Sequence, residues 1–210
     1  MGMRGRSAAE YAAFRGRIAP PSKLLVIVLA ALLLFFPRSS IAQPLEDRLS
    51  ACWGCHGENG RSERSDVPSL GGQPALYTLI QLVMFRDKLR MTEPMNEVTR
   101  GLQDAELRKA ADLVAALPPP EPMADIDAER MERARELAVR NRCNFCHQLD
   151  YAGHSNVPRL AGQREDYLLK TLRSYKDNSR YGYEAQMSEV LYSLRDEDFI
   201  ELAYFLARLK

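Results

Sequence analysis

From residue 43 onward, apolar side chains recur every three to four positions. Almost no stretch alternates apolar and polar with the period of two that marks a half-buried strand. Helix is therefore the predicted secondary structure almost throughout. Over residues 127–142, Ala134, Leu137 and Ala138 fall on one face, and residues 45–51 form a shorter counterpart. Residues 74–89 and 164–176 read as a second pair of helices, and 104–117 and 196–209 as a third. Asp104 and Glu106 open one member of that third pair, and Asp196, Glu197 and Asp198 open the other. Acid in a first turn is stabilised by the partial positive charge of a helix N-terminus. Residues 57–73 and 148–163 are polar and punctuated by proline and glycine, which predicts loops. The pattern is that of an all-α protein.

The helices come in pairs because the sequence repeats. Val67-Pro68-Ser69-Leu70-Gly71-Gly72-Gln73 returns 90 residues later as Val157-Pro158-Arg159-Leu160-Ala161-Gly162-Gln163. The same offset pairs Tyr77/Tyr167, Leu79/Leu169, Leu82/Leu172, Phe85/Tyr175 and Arg90/Arg180. An offset of 92 then pairs Met95/Met187, Leu102/Leu194, Asp104/Asp196, Ala111/Ala203 and Leu117/Leu209. Such drift between blocks is what loop insertions leave in a duplicated domain. Between the copies, Pro118-Pro119-Pro120-Glu121-Pro122 cannot continue a helix and favours an extended spacer. The expected division is a first domain over 43–122, ending in this linker, and a second over 123–210.

Residues 1–42 stand apart from both copies. Arg4, Arg6, Arg15, Arg17 and Lys23 precede an unbroken run of 13 apolar residues, 24–36, closed by Pro37 and Arg38. Ser40-Ile41-Ala42 then offers small residues for cleavage before Gln43. That is the order of a secretory signal peptide, of the general rather than the twin-arginine kind since no Arg-Arg pair is present. The competing reading is an uncleaved membrane anchor, for which 13 residues is short against the roughly 20 of a spanning helix. The leader holds six of the 29 basic and one of the 28 acidic residues, leaving 23 and 27, a formal net charge of −4. With no basic arm and no interleaving of aromatic with basic residues, nucleic acid is not an expected partner. The remaining 168 residues make two domains, each marginal on its own apolar area. A large apolar cofactor would supply the missing core, so the apo chain is expected to fold poorly.

Cys52-Trp53-Gly54-Cys55-His56 recurs, 91 residues on, as Cys143-Asn144-Phe145-Cys146-His147, and the two copies use every cysteine in the chain. Cys-x-x-Cys-His is the attachment pattern of a c-type haem. The two thiols add to the two porphyrin vinyl groups, and the adjacent histidine, His56 or His147, gives one axial bond to iron. Four cysteines in two pairs could instead make one zinc site, but that leaves each histidine unexplained. A sixth ligand of methionine is common in cytochromes c. Of eight methionines only Met95 and Met187 align with each other, 39 and 40 residues after their histidines, each expected just before a helix. His154, the one histidine outside the motifs, reads as a solvated loop residue, with a second axial imidazole as the alternative. The Pro68 and Pro158 carbonyls are candidate acceptors for the histidines' other N–H, or simply loop turns. Gly72 and Gly162 would let backbone approach a haem closely. Trp53 and Phe145 read as packing at the haem edge. Tyr77, Tyr167, Arg90 and Arg180 are candidate propionate contacts, although ordinary packing explains the tyrosines equally well.

On these motifs, with the duplicated Val-Pro-x-Leu-x-Gly-Gln blocks and the paired methionines, residues 43–210 resemble the dihaem cytochrome c4 family. The resemblance implies two tandem cytochrome c-like domains, each wrapped around one covalently attached haem. It implies two haem c groups, bound through Cys52 and Cys55 and through Cys143 and Cys146. Iron would be held by His56 with Met95 and by His147 with Met187, and the haems would face each other across the domain interface. The function implied is electron transport in a periplasmic respiratory chain, one electron per haem. The donor would be a quinol–cytochrome c reductase-like protein and the acceptor terminal oxidase-like, with membrane association. No general base, nucleophile or phosphate loop accompanies the motifs, so the chain is not expected to be an enzyme. The rivals are the cytochrome subunit of a periplasmic dehydrogenase, such as a flavocytochrome, and a dihaem peroxidase with one open iron. The segment from Arg90 to Met95 is two residues shorter than that from Arg180 to Met187, a departure that falls on the first haem's surroundings.

Overall fold

The computed structural model describes residues 45–180 and 185–210. The leader expected over 1–42 lies outside them. Among the described residues the structure is helix and loop without a strand, apart from a single bridge between His154 and Val157. No described helix is long and apolar enough to cross a membrane.

The first half contains α1 (Leu45–His56), a 3-10 turn (Glu58–Gly60), α2 (Ala75–Arg86), α3 (Met95–Thr99) and α4 (Asp104–Ala116). The second contains α5 (Ala128–Arg140), α6 (Cys143–His147), α7 (Glu165–Lys176), α8 (Ala185–Tyr192) and α9 (Asp196–Ala207). The all-α expectation holds, and the three anticipated helix pairs are present with ends trimmed by one to three residues. Two elements differ from expectation. α1 does not stop at Ala51 but runs on through the first haem motif. The methionines, expected before a helix, instead lie within short ones: Met95 opens α3, and Met187 sits in the first turn of α8.

Each half buries its last helix. On α4, Leu107, Ala110, Ala111 and Val114 lie at helical spacing and pack on α2. On α9 the equivalent stripe of Phe199, Leu202, Ala203 and Leu206 is enclosed between α5 and α7. The fully buried Ala134 and Ala138 let α5 come close to it. The acidic first turns act more specifically than through the dipole alone. Glu106 accepts the Gln103 N–H at 2.7 Å and Asp198 the Arg195 N–H at 2.8 Å, so on each last helix the third residue reaches back to satisfy the backbone just before it.

The proline-rich linker is held by the glycines of the repeated block. A side chain on Gly162 would place its Cβ 2.5 Å from the Pro120 carbonyl oxygen, and its φ is +70°. Gly72, at φ +65°, lies against Pro119 in the same way. These glycines therefore admit the linker backbone. Beyond the linker the chain is fastened to α9. The Met123 N–H donates to the Ala207 carbonyl at 3.0 Å, and the buried Arg208 guanidinium reaches both Asp125 (2.6 Å) and Glu165 (2.5 Å). Gly162→Ala combines a left-handed φ with a backbone clash. It is expected to lower stability by more than about 1 kcal/mol, read as a lower denaturant midpoint.

Candidate haem sites

Cys52, Cys55 and His56 occupy the last turns of α1, and Cys143, Cys146 and His147 fill α6. Helical positions i, i+3 and i+4 share one face, so each motif turns two thiols and one imidazole the same way. All four cysteines are free of disulfides. Burial pushes the Cys52 and Cys143 thiols up, Cys143 to about 11. Among the described residues no three or more His, Cys, Asp or Glu side chains converge to hold a metal ion. The single zinc site weighed against haem therefore has no place in this arrangement.

Both histidines are buried and both are tied by the same bond. His56 Nδ1 lies 2.9 Å from the Pro68 carbonyl oxygen, and His147 Nδ1 lies 2.9 Å from that of Pro158. A carbonyl only accepts, so Nδ1 carries the proton and the Nε2 lone pair is left for a ligand. Burial pulls both imidazoles below their ordinary value against the opposing pull of the carbonyl bond. The positive charge of Arg64 adds to the lowering at His56, and that of His154 at His147. A neutral imidazole with a fixed tautomer is what a haem iron requires, and paired thiols one helical turn apart are what a porphyrin edge requires. The residues present fit two haem groups.

The loops that carry these carbonyls are stitched together across the molecule. Ser69, next to Pro68, gives its N–H to Gln163 Oε1 at 2.8 Å and its carbonyl accepts from Gln163 Nε2 at 2.8 Å. Arg159, next to Pro158, makes the same two bonds with Gln73, at 3.0 and 2.9 Å. The two exchanges are related by the 90-residue offset, so the halves meet about a pseudo-two-fold axis. The glutamines were visible in the repeated block, but nothing in the sequence assigned them to this seam. Gln163→Ala would strip both partners from the buried backbone of Ser69. At about 1–3 kcal/mol for each unsatisfied group, the expected loss is roughly 2–6 kcal/mol in a denaturation curve. Gln73→Ala, whose partner Arg159 is only half-buried, is expected to cost less.

The remaining predicted residues divide. Met95 and Met187 are half-buried, and Met187 packs against the core of the second half. The Met95 segment is anchored by Asn96, unremarked in the sequence. Its buried amide donates to the Phe85 and Arg90 carbonyls, both at 2.8 Å, and accepts the Thr92 N–H. Tyr77, Tyr167, Arg90 and Arg180 come together at the seam. His154 is exposed on the surface, as the sequence reading had it. Trp53 is half-buried and Phe145 is 85% exposed.

The pattern that defines the family Cytochrome c matches residues 131–210. The cytochrome c4 of Thiocapsa roseopersicina is 32% identical over 134 residues, which cover 60% of this chain and 69% of that one. The solved cytochrome c4 of Acidithiobacillus ferrooxidans superposes with a TM-score of 0.67 at 26% identity, over 76% of this chain and 99% of that one. The chain belongs to the dihaem cytochrome c4 family. This cytochrome carries covalently bound haem c and is a dihaem electron-transfer protein. It is also 32% identical over 171 residues to the thiosulfate dehydrogenase electron acceptor of Thiomonas intermedia, covering 76% of this chain and 77% of that protein.

Proposed function

We propose that this cytochrome shuttles electrons, one per haem, between redox proteins of the periplasm and its membrane, and turns over no substrate of its own. The observation that carries the reading is the matched pair of buried histidines, each with Nδ1 fixed on a proline carbonyl and flanked by two thiols on one helical face. Haem supplies an iron that exchanges one electron. The chain's residues supply everything else. Cys52 and Cys55, and Cys143 and Cys146, bind the groups covalently. Pro68 and Pro158 hold the proton on Nδ1, which directs Nε2 of His56 and His147 to iron. Met95 and Met187 would each supply a second ligand to iron, which would leave no coordination position for a small substrate. Ligands held by the fold in both redox states keep reorganisation small and transfer fast. The two domains are 43–122 and 123–210, the linker being seated on Gly72 and Gly162, and residues 1–42 are the export leader or anchor.

A redox titration of the purified protein with absorption spectra tests this reading. Two one-electron midpoints, with a methionine-to-iron charge-transfer band in the oxidised state, are expected. Ready binding of carbon monoxide to the reduced protein would remove the carrier assignment.

The likeness to a thiosulfate dehydrogenase electron acceptor supports a narrower reading, in which the donor is a periplasmic dehydrogenase of that kind. Stopped-flow reduction by such an enzyme in the presence of thiosulfate would be fast and saturable. Reduction no faster than by a non-cognate cytochrome would exclude it.

A further inference from the structure

α2 and α7 each end on a cation, Arg86 and Lys176, which the 90-residue offset pairs. Each reaches forward to the turn that joins the methionine-bearing helix to the last helix. Arg86 Nη1 donates to the Leu102 carbonyl at 3.2 Å, and Lys176 Nζ donates to the Leu194 carbonyl at 3.0 Å. Leu102 and Leu194 are themselves a repeat pair. Lys176 adds a second bond, to the carbonyl of Tyr192, the last residue of α8, and its Nζ lies 5.1 Å from the centroid of the Tyr192 ring. The last carbonyls of a helix have no partner within it, and a cation beside them is favoured by the helix dipole. α8 has only eight residues, too few to sustain a helix in water on their own. Burial of Leu191 draws it onto the core, but apolar burial has no direction. Among the described residues, the directed bonds that reach the end of α8 from another helix come from Lys176.

The two halves differ in what else holds the methionine. In the first, the buried Asn96 amide ties the Met95 segment to the Phe85 and Arg90 carbonyls and to the Thr92 N–H. The buried Thr99 hydroxyl donates to the Met95 carbonyl itself at 2.8 Å. The 92-residue offset places Ser188 opposite Asn96 and Leu191 opposite Thr99. A serine hydroxyl has one donor hydrogen where the carboxamide has two, and leucine has none, so the second half cannot rebuild this network. The cations differ as well. Arg86 is also paired with Asp87 at 2.8 Å and Asp104 at 2.6 Å. The counterparts of those carboxylates are engaged elsewhere in the second half. Asp177 accepts the Ser179 N–H at 2.8 Å, and Asp196 pairs with Arg173 at 2.6 Å. Among the described residues Lys176 pairs with no carboxylate, and its ammonium is directed at the carbonyls.

We infer that Lys176 is a positioning residue for the second haem: by tying the end of α8 to the end of α7 it holds the Met187 thioether at the iron, a task that in the first half falls to Asn96 and Thr99. The inference rests on the reading that Met187 is the sixth ligand of that iron. Met187 sits in the first turn of α8 and the tied carbonyl in its last, so releasing that end lets the whole short helix fray. A thioether favours reduced iron. When it is held loosely that preference weakens, the potential of the second haem falls, and small ligands compete for the position. In the first half Asn96 and Thr99 keep Met95 in place without Arg86, so the same loss there is silent.

The test compares Lys176→Met, Lys176→Arg, Arg86→Met and the parent protein, each with two haems counted by intact mass. Amide hydrogen exchange reads the helix directly: exchange over residues 188–192 is expected to quicken about tenfold in Lys176→Met and to stay near the parent rate in Lys176→Arg, which keeps the charge and the donors. In a redox titration of Lys176→Met, one midpoint is expected to fall by about tenfold in the reduction equilibrium, or about 59 mV for a one-electron couple. The methionine-to-iron band should weaken toward half, and Lys176→Arg should restore most of both. Arg86→Met is expected to leave both midpoints and the band as in the parent. Parent-like exchange over α8 in Lys176→Met overturns the inference, as do parent-like midpoints and band. An equal loss in Arg86→Met overturns the difference drawn between the halves. If Lys176→Met does not accumulate with two haems, Lys176→Gln carries the test, since it removes the charge and keeps a polar side chain. Faster exchange with one lowered midpoint then supports the inference, and parent-like behaviour overturns it. Met187→Ala is the control for the underlying reading. If it leaves the midpoints and the band unchanged, Met187 is no ligand, a result distinct from parent-like behaviour in Lys176→Met.

Discussion

Replacing Cys143 and Cys146 together by alanine is expected to give a protein with one haem and a disordered second half. The corresponding change at Cys52 and Cys55 is expected to remove one haem with less damage to its surroundings. The difference lies in the helices. The first motif ends a 12-residue helix, α1, which has residues outside the motif to sustain it. The second motif is the whole of α6, five residues set off from α5 by Asn141 and a left-handed Arg142 at φ 56°. A helix so short has no stability of its own in water, so covalent attachment is what holds it. Once α6 frays, the His147 bond to Pro158 goes, and the loop of Pro158 and Arg159 is freed at the seam. Intact mass would count the haems, and near-UV circular dichroism would report the packing of Tyr151 against Phe205, whose rings meet edge to face at 5.6 Å. Equal loss of signal in the two variants, or two haems retained after loss of Cys143 and Cys146, would contradict the argument.

What was legible beforehand follows from the same physics. Cys-x-x-Cys-His could be read because its chemistry is local: five consecutive residues set the thiol spacing and the neighbouring imidazole. The last helices could be read because Leu107, Ala110, Ala111 and Val114 mark a face by period alone. The short helices bearing Met95 and Met187 escaped notice because five and eight residues span too few turns for a period to emerge. Gln73 and Gln163 were plain in the repeat, yet their bonds join residues 86 and 94 positions apart, and no local pattern encodes such a partner. Gly72 and Gly162 were legible as sites of close approach, but the linker that lies against them returns from a distant part of the chain, which no local pattern encodes. In each case the residue type was informative and the partner was not.

The second large effect is expected from Met187. If its thioether closes the second iron, Met187→His exchanges a sulfur that favours reduced iron for a nitrogen donor that favours the oxidised form. One of the two midpoints should then fall by a sizeable part of the roughly 0.8 V over which axial ligands act. The other should move little, and the methionine-to-iron band should drop to about half. Met187→Ala offers no ligand in place of the thioether, so one reduced haem in two should take up carbon monoxide. Met187 packs against the core that includes Leu168, Leu172 and Leu191. Removing a partly buried side chain of this kind costs roughly 2 kcal/mol even where it binds nothing, so stability alone does not discriminate. The midpoint, the band and the gas do. If all three are unchanged in a folded two-haem protein, Met187 is a packing residue and the sixth ligand of the second iron lies elsewhere. The same pair of variants at Met95 addresses the first iron independently, because Asn96 fixes that segment through bonds the substitution does not touch.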